Sequence, residues 1–278
     1  MHMAEGARLG LRYEYSLLDF DTLSLGAGSL GPVVRAAAEH DFAGLNVTHP
    51  FKLAVLDCLD ALSPEAIAIG AVNTVVFQHG QAIGHNTDCW GFAESFRRNM
   101  AGASLNHVLL VGAGGAGMAV GRALFDLGAN SVAVFDLDAG KVSALARSLE
   151  SQFPTGRAEI VADLRDAVRV SDGIVNATPV GMAKYPGMPV PAELLRSDQW
   201  IADVVYFPEE TDLLRAAAEL GSRTLSGRGM AIFQAVKAFE LFTGRRPDPA
   251  RMSRHFGQEP ALQDGPSGLP EGNDQARR

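Results

Sequence analysis

Cysteine is scarce in this 278-residue chain: Cys58 and Cys89 are the only two, and they do not form a Cys-x-x-Cys pair. That excludes a disulfide framework and a structural zinc site, and predicts two thiols in a reducing compartment. No apolar run reaches the roughly 18 residues of a membrane-spanning helix. The opening MHMAEGARLG lacks the basic-then-apolar order of a signal peptide, so the expected location is cytoplasmic. Clustered charge is missing too. Lys and Arg total 24 against 32 Asp and Glu, a net −8, with no run of five like charges. Neither nucleic acid nor an anionic membrane suits such a surface, and a small molecule is the expected partner.

Apolar residues are plentiful at 47% of the chain, enough for two separate cores. Helical spacing covers residues 30–41 (LGPVVRAAAEHD), and GLNVT follows as a strand. Residues 51–62 (FKLAVLDCLDAL) repeat apolar positions at helical spacing, and SPEAIAIG begins with a Ser N-cap and Pro at the first helical position. AVNTVVF and QAIGHNT predict two strands around a His79-Gly80 turn, and CWGFAESFRRN predicts a helix. The composition break NMAGASLN at residues 99–106 predicts a linker.

From His107 the order becomes regular. Strands at HVLLVGAG, SVAVFD, RAEIVAD, GIVNAT and WIADVVY alternate with helical stretches, predicting a doubly wound parallel α/β sheet. GMAIFQAVKAFELFTG is a long helix outside that alternation, free to pack back on the first region. The C-terminal stretch is rich in Pro, Gly and charge, which predicts a disordered tail over 258–278.

Gly112-Ala-Gly114-Gly115-Ala116-Gly117 follows the apolar run VLLV and opens a helix, the context in which a GxGxxG pattern binds a dinucleotide. Gly112 suits the tight turn, Gly114 close approach of a pyrophosphate, and Gly117 close packing of helix on strand. A tight βα turn without ligand is the plainer alternative. Asp136 ends the next strand at the spacing where a carboxylate accepts both ribose hydroxyls, and with Asp138 it would repel a 2′-phosphate, which favours NAD. Asp138 also suits a helix N-cap.

Two polar clusters end short strands in the first region: Asn46-Val-Thr48-His-Pro-Phe-Lys52, and Asn86-Thr87-Asp88. With Asn73 they offer amides and hydroxyls suited to a ring with several hydroxyl groups, although an Asn after a strand is commonly a turn residue. A lysine of this kind is ordinarily a solvated surface residue. His49 and His85 flank the clusters without a third ligand at zinc spacing, so no metal is expected; His49 reads as a loop residue and His85 as a shaper of the pocket.

GLNVTHPFK, AVNTVV, GHNTDCWGF, VGAGGAG, NATPVGM, DVVYFPEETDLL and GMAIFQAVKAFELFTG, in that order, resemble the shikimate dehydrogenase family, with its NAD-linked shikimate/quinate branch. The resemblance runs from about His2 to Pro247. It implies a hinged molecule: a smaller α/β substrate domain from residues 1–102 and 228–257, and an NAD-binding Rossmann domain at 103–227. It implies hydride transfer between NAD and the C3 hydroxyl of shikimate or quinate. Lys52 and Asp88 would be the catalytic pair, with Thr48, Asn73, Asp88, Tyr206 and Gln234 around the substrate. Ala177, Thr178, Gly229 and Met230 would join the glycine turn and Asp136 in lining the cofactor. It leaves a homodimer open.

One departure stands out. The family opens with a strand and a Ser-x-Ser-x-Pro segment, whose hydroxyls bind the substrate carboxylate, just before the position that His2 matches; this sequence starts at that point. Two expectations follow. Either the chain begins at an internal methionine of a longer protein, or it is an impaired or non-catalytic paralogue that binds NAD or a metabolite.

Overall fold

The structure is a computed structural model that describes residues 1–153 and 157–257. The tail expected at 258–278 lies outside the described residues.

In the first region, helix α1 (His2–Arg8) is followed by an irregular stretch and then by α2 (Leu30–Glu39), β1 (Gly44–Asn46), β2 (Ala61–Leu62), α3 (Pro64–Ile69), β3 (Thr74–Gln78), β4 (Gln81–His85) and α4 (Asp88–Asn99). The four strands form a mixed sheet in the order β1-β3-β4-β2. The β3–β4 hairpin turns at His79 and Gly80, both at positive φ (51° and 75°), which matches the twist of the flanking strands. Ser63 caps α3 by accepting from the Ala66 N–H (3.2 Å), as its Ser-Pro start predicts. Leu30, Val34, Val47, Val55, Val72 and Val75 make the core between this sheet and α2.

The helix expected over residues 51–62 is not there. The segment runs as a turn, a 3-10 stretch (Ala54–Cys58) and β2. Its backbone groups find partners elsewhere: the Lys52 carbonyl accepts from Val72 N–H (2.9 Å), and Asp60 N–H donates to Ala82 O (3.0 Å). Tertiary hydrogen bonds thus replace the i to i−4 ladder, and the apolar spacing serves to pack the segment on the sheet.

The second region builds a six-stranded, all-parallel sheet from β5 (His107–Val111), β6 (Ser131–Phe135), β7 (Ala158–Ile160), β8 (Gly173–Asn176), β9 (Trp200–Asp203) and β10 (Arg223–Leu225), ordered β10-β9-β8-β5-β6-β7. Its helices are α5 (Gly115–Asp126), α6 (Ala139–Gln152), α7 (Leu164–Val170) and α8 (Asp212–Glu219). Alternation along β5 sends Val108 and Leu110 to the core under α5 and α6, and Leu109 and Val111 to the core under α7 and α8. Covering both faces requires apolar residues at every strand position, and each fully buried Leu or Val contributes about 1.5 to 3 kcal/mol. This is the expected doubly wound α/β arrangement. The strand order reverses between β6 and β8 on either side of β5, and that switch point places a crevice at the carboxyl end of β5.

The long helix α9 (Gly227–Thr243) returns to pack on α4, and α10 (Pro249–Arg254) closes over it beside α1. α4 and α9 approach closely because glycines face the contact: a Cβ on Gly91 would lie 2.8 Å from Gln234 N and 2.9 Å from Met230 O. Buried Glu5 of α1 accepts from Arg251 Nη2 (2.7 Å) and Nε (3.0 Å), tying α1 to α10. α7, α8 and α10 were not read from the sequence, although Asp163, Thr211 and Asp248 each cap one of them through a side-chain oxygen.

Candidate active site

Lys52 and Asp88, 36 residues apart, meet: Nζ lies 2.5 Å from Oδ2, with the side chains 18% and 4% exposed. Asp88 is the first residue of α4, where the helix dipole favours a carboxylate. Asn86 prepares that position. Its Oδ1 accepts from the Asp88 and Cys89 backbone N–H groups (3.0 and 3.2 Å), and its amide donates to Ala71 O (2.9 Å). The Asp88 Oδ1 takes no hydrogen bond among the described residues. A pair so removed from water holds together because each charge compensates the other, so deleting one partner costs more than the pair contributes.

A buried network of amides and hydroxyls adjoins this pair. Asn73 Oδ1 accepts from the Thr87 N–H (2.8 Å) and the Thr74 hydroxyl (3.1 Å), while its amide donates to Thr87 Oγ1 (2.9 Å). From α9, Gln234 comes within 3.5 Å of Thr87 Oγ1. Tyr15, not singled out in the sequence, joins through Asn46: its hydroxyl donates to Asn46 Oδ1 (3.0 Å), and the Asn46 amide donates to Thr74 Oγ1 (3.3 Å). No motif marked Tyr15, since a tyrosine in an irregular stretch has no periodicity to betray it.

The glycine turn fits a dinucleotide by shape. Gly112 adopts φ +106°, and a Cβ on Gly117 would stand 2.0 Å from Gly112 O. Gly114 caps α5 without a side-chain hydrogen bond, and the space beside it is open, leaving the first amides of α5 and the half-buried Ala116 facing a cradle for phosphate. Asp136 accepts from the Ala113 and Asp138 N–H groups (2.7 and 2.9 Å), which turns its carboxylate toward the glycine turn. Asp138 caps α6. A Cβ on Gly112 would lie 2.8 Å from the Ala177 carbonyl carbon and 2.9 Å from Thr178 N, so the segment after β8 runs beside the turn. Most telling is Gly115, whose missing side chain leaves room for Lys52: a Cβ there would be 2.7 Å from the Lys52 Cβ. The ammonium–carboxylate pair and the glycine turn are therefore neighbours.

The other named residues stand further apart. Thr48 is exposed, its hydroxyl directed to His49 O at 3.5 Å. Tyr206 is 50% exposed and packs edge-on against Phe256. Gly229 and Met230 lie in the α4–α9 contact, Gly229 against the Ser95 hydroxyl. None of the four hydrogen-bonds to Lys52 or Asp88. His49 packs edge-on against Tyr185, and burial, then the charges of Lys52, Lys184 and Lys141, hold its imidazole below the usual range. Among the described residues no group of three His, Cys, Asp or Glu could hold a metal. Cys58 and Cys89 are free thiols.

The family model for the shikimate dehydrogenase substrate binding domain matches residues 1–75, and that for the shikimate 5′-dehydrogenase C-terminal domain matches residues 227–254. A shikimate dehydrogenase (NADP⁺) of Streptomyces avermitilis is 53% identical over 254 residues, covering 91% of this chain and 87% of that protein. The chain belongs to the shikimate dehydrogenase family. Another member, a quinate/shikimate dehydrogenase (NAD⁺) of Corynebacterium glutamicum, is 43% identical over 92% of each chain. The solved quinate dehydrogenase from Corynebacterium glutamicum in complex with NAD superposes with a TM-score of 0.82 at 42% identity, over 92% of both chains. Shikimate dehydrogenases thus surround this chain on both sides of the cofactor divide, and a nicotinamide dinucleotide is common to both. No helix among its described residues is long and apolar enough to cross a membrane.

Proposed function

We propose that this protein is a dehydrogenase of shikimate or quinate, interconverting the C3 hydroxyl and ketone with NAD as its preferred cofactor. The observation that carries the reading is the Lys52–Asp88 pair, at 2.5 Å, with the Lys52 side-chain stem lying against Gly115 of the dinucleotide turn. A bound nicotinamide supplies the hydride acceptor or donor. Everything else falls to the chain. Alcohol oxidation releases a proton from the ring hydroxyl, and Lys52 and Asp88 are within reach to take it and, in reduction, to return it. Asp88 Oδ1 is the open acceptor for that hydroxyl. Asn73 and Gln234 line the ring's other hydroxyls, with Thr48 and Tyr206 at the exposed rim. Gly112, Gly114, Gly115, Ala116, Gly117, Ala177 and Thr178 hold the nucleotide, and Gly229 and Met230 close its nicotinamide side from α9.

Asp136 is the ground for preferring NAD: its carboxylate, turned to the glycine turn, would accept ribose hydroxyls and repel a 2′-phosphate. The reading also takes residues 1–102 with 228–257 as a substrate unit and 103–227 as a nucleotide unit. It is favoured over a non-catalytic paralogue because family membership and the intact proton-handling pair argue for turnover. Lys52→Ala is expected to lower kcat by about three orders of magnitude while NAD still binds. Undiminished turnover in that variant removes Lys52 from the chemistry. A kcat/KM that favours NADP over NAD contradicts the role of Asp136.

A further inference from the structure

Asp203 ends β9, three residues before Tyr206, and is 2% exposed. Its Oδ1 accepts from the Asn176 amide (2.9 Å) and from the Val205 N–H (2.9 Å), and its Oδ2 accepts from the Thr211 hydroxyl (2.7 Å). Asn176, fully buried at the end of β8, also donates to Val180 O (3.0 Å), while its Oδ1 accepts from the Thr178 N–H (3.0 Å) and hydroxyl (2.7 Å). Thr178 Oγ1 in turn accepts from the Val180 N–H (3.1 Å). Thr211 caps α8 by accepting from the Leu214 N–H (3.4 Å).

Through one carboxylate the loop 177–180 beside Gly112 is therefore joined, across 27 residues, to the turn 204–206 that carries Tyr206 and to the start of α8. The choice of residue needs a reason, because burial pushes the Asp203 carboxyl up to about 6, against the pull of the Val205, Thr211 and Asn176 hydrogen bonds. The reason lies in its partners. Each of them offers a donor, and an ionised carboxylate is the one side chain that accepts from all of them without presenting a donor of its own.

We propose that Asp203 is a positioning residue: through Asn176 and Val205 it sets the spacing between the loop 177–180 and the turn 204–206, and so between the nicotinamide and the substrate ring. The inference rests on the dehydrogenase reading above. An alcohol carbon and a nicotinamide react only when held near 3 to 3.5 Å in line, so a small drift of either segment slows the chemistry without abolishing binding.

The test compares the full chain with Asp203→Asn, Thr211→Val and Thr211→Ser by two measurements, backbone amide exchange in the presence of NAD and steady-state kinetics with shikimate or quinate. Asp203→Asn keeps one acceptor, and Thr211→Val leaves the carboxylate in place but removes a charge-assisted donor. Both are expected to speed exchange across 177–180 and 204–206 about tenfold, and to lower kcat about tenfold with KM for NAD changed less than about threefold. Thr211→Ser, which keeps the hydroxyl, restores both. Faster exchange confined to α8, or a normal kcat in variants whose two segments have loosened, overturns the proposal. Absence of turnover in the unsubstituted chain defeats the dehydrogenase reading instead, and the exchange result then decides by itself whether Asp203 ties the two segments.

Discussion

Gly115 has no side chain, and the Lys52 Cβ occupies the space one would need, 2.7 Å from an added methyl group. Gly115→Ala is expected to push Lys52 off Asp88 and lower kcat about tenfold or more, since sub-ångström placement governs proton transfer. Its check is kcat alongside the Tm, which falls as well, because the displaced atom is a Cβ next to the backbone and not the far end of a side chain. Asp203 offers a second prediction at this scale. Its carboxyl is raised from 3.8 to about 6 by burial, so the group favours the folded state fully below pH 3.8, and that contribution is lost as pH rises through about 6. Between those limits the loss amounts to about 3 kcal/mol. Urea unfolding should therefore show the stability difference between the unsubstituted protein and Asp203→Asn moving toward the variant from pH 4 to 7.5; a difference that stays flat contradicts the assignment. Lys52, Asp88 and the glycines were legible because their chemistry and spacing are written in local motifs. Asp203 and Tyr15 were not, because the partners that give them their roles, Asn176 and Asn46, stand 27 and 31 positions away.

Among the elements, the α4–α9 contact brings Gln234 to Thr87 at the start of α4. A Cβ on Gly91 meets backbone atoms of α9, which cannot yield as a flexible side chain would. Gly91→Val is expected to destabilise the protein by about 1 to 3 kcal/mol through overpacking, read as a lower urea midpoint with an unchanged slope. Strand and helix positions in the parallel sheet were readable because both faces are covered and the βα alternation is regular. Residues 51–62 misled for the opposite reason. Their apolar spacing is helical, yet their backbone partners come from Val72 and Ala82, which no local pattern announces.

Across the whole molecule, the loop after β8 also touches the first region. Lys184 donates to Asp21 at 2.5 Å, and Tyr185 meets the edge of His49. Both charged side chains are well exposed, at 61% and 80%, so water and salt screen the pair and it adds little stability. Asp21→Asn is expected to leave unfolding stability nearly unchanged, and raising salt from about 0.05 to 0.5 M should erase what difference there is. A larger loss would mean that this contact helps to hold the two regions together.

The local order of apolar residues, glycines and caps was enough to determine an α/β chain with a dinucleotide turn and two polar clusters. Proximity was beyond it. That Lys52 reaches Asp88 and lies against Gly115, and that Asp203 bonds Asn176, depends on chain reversals that bring together residues 27 to 63 positions apart. Such contacts are selected by the packing of the whole fold and not by the residues that flank them.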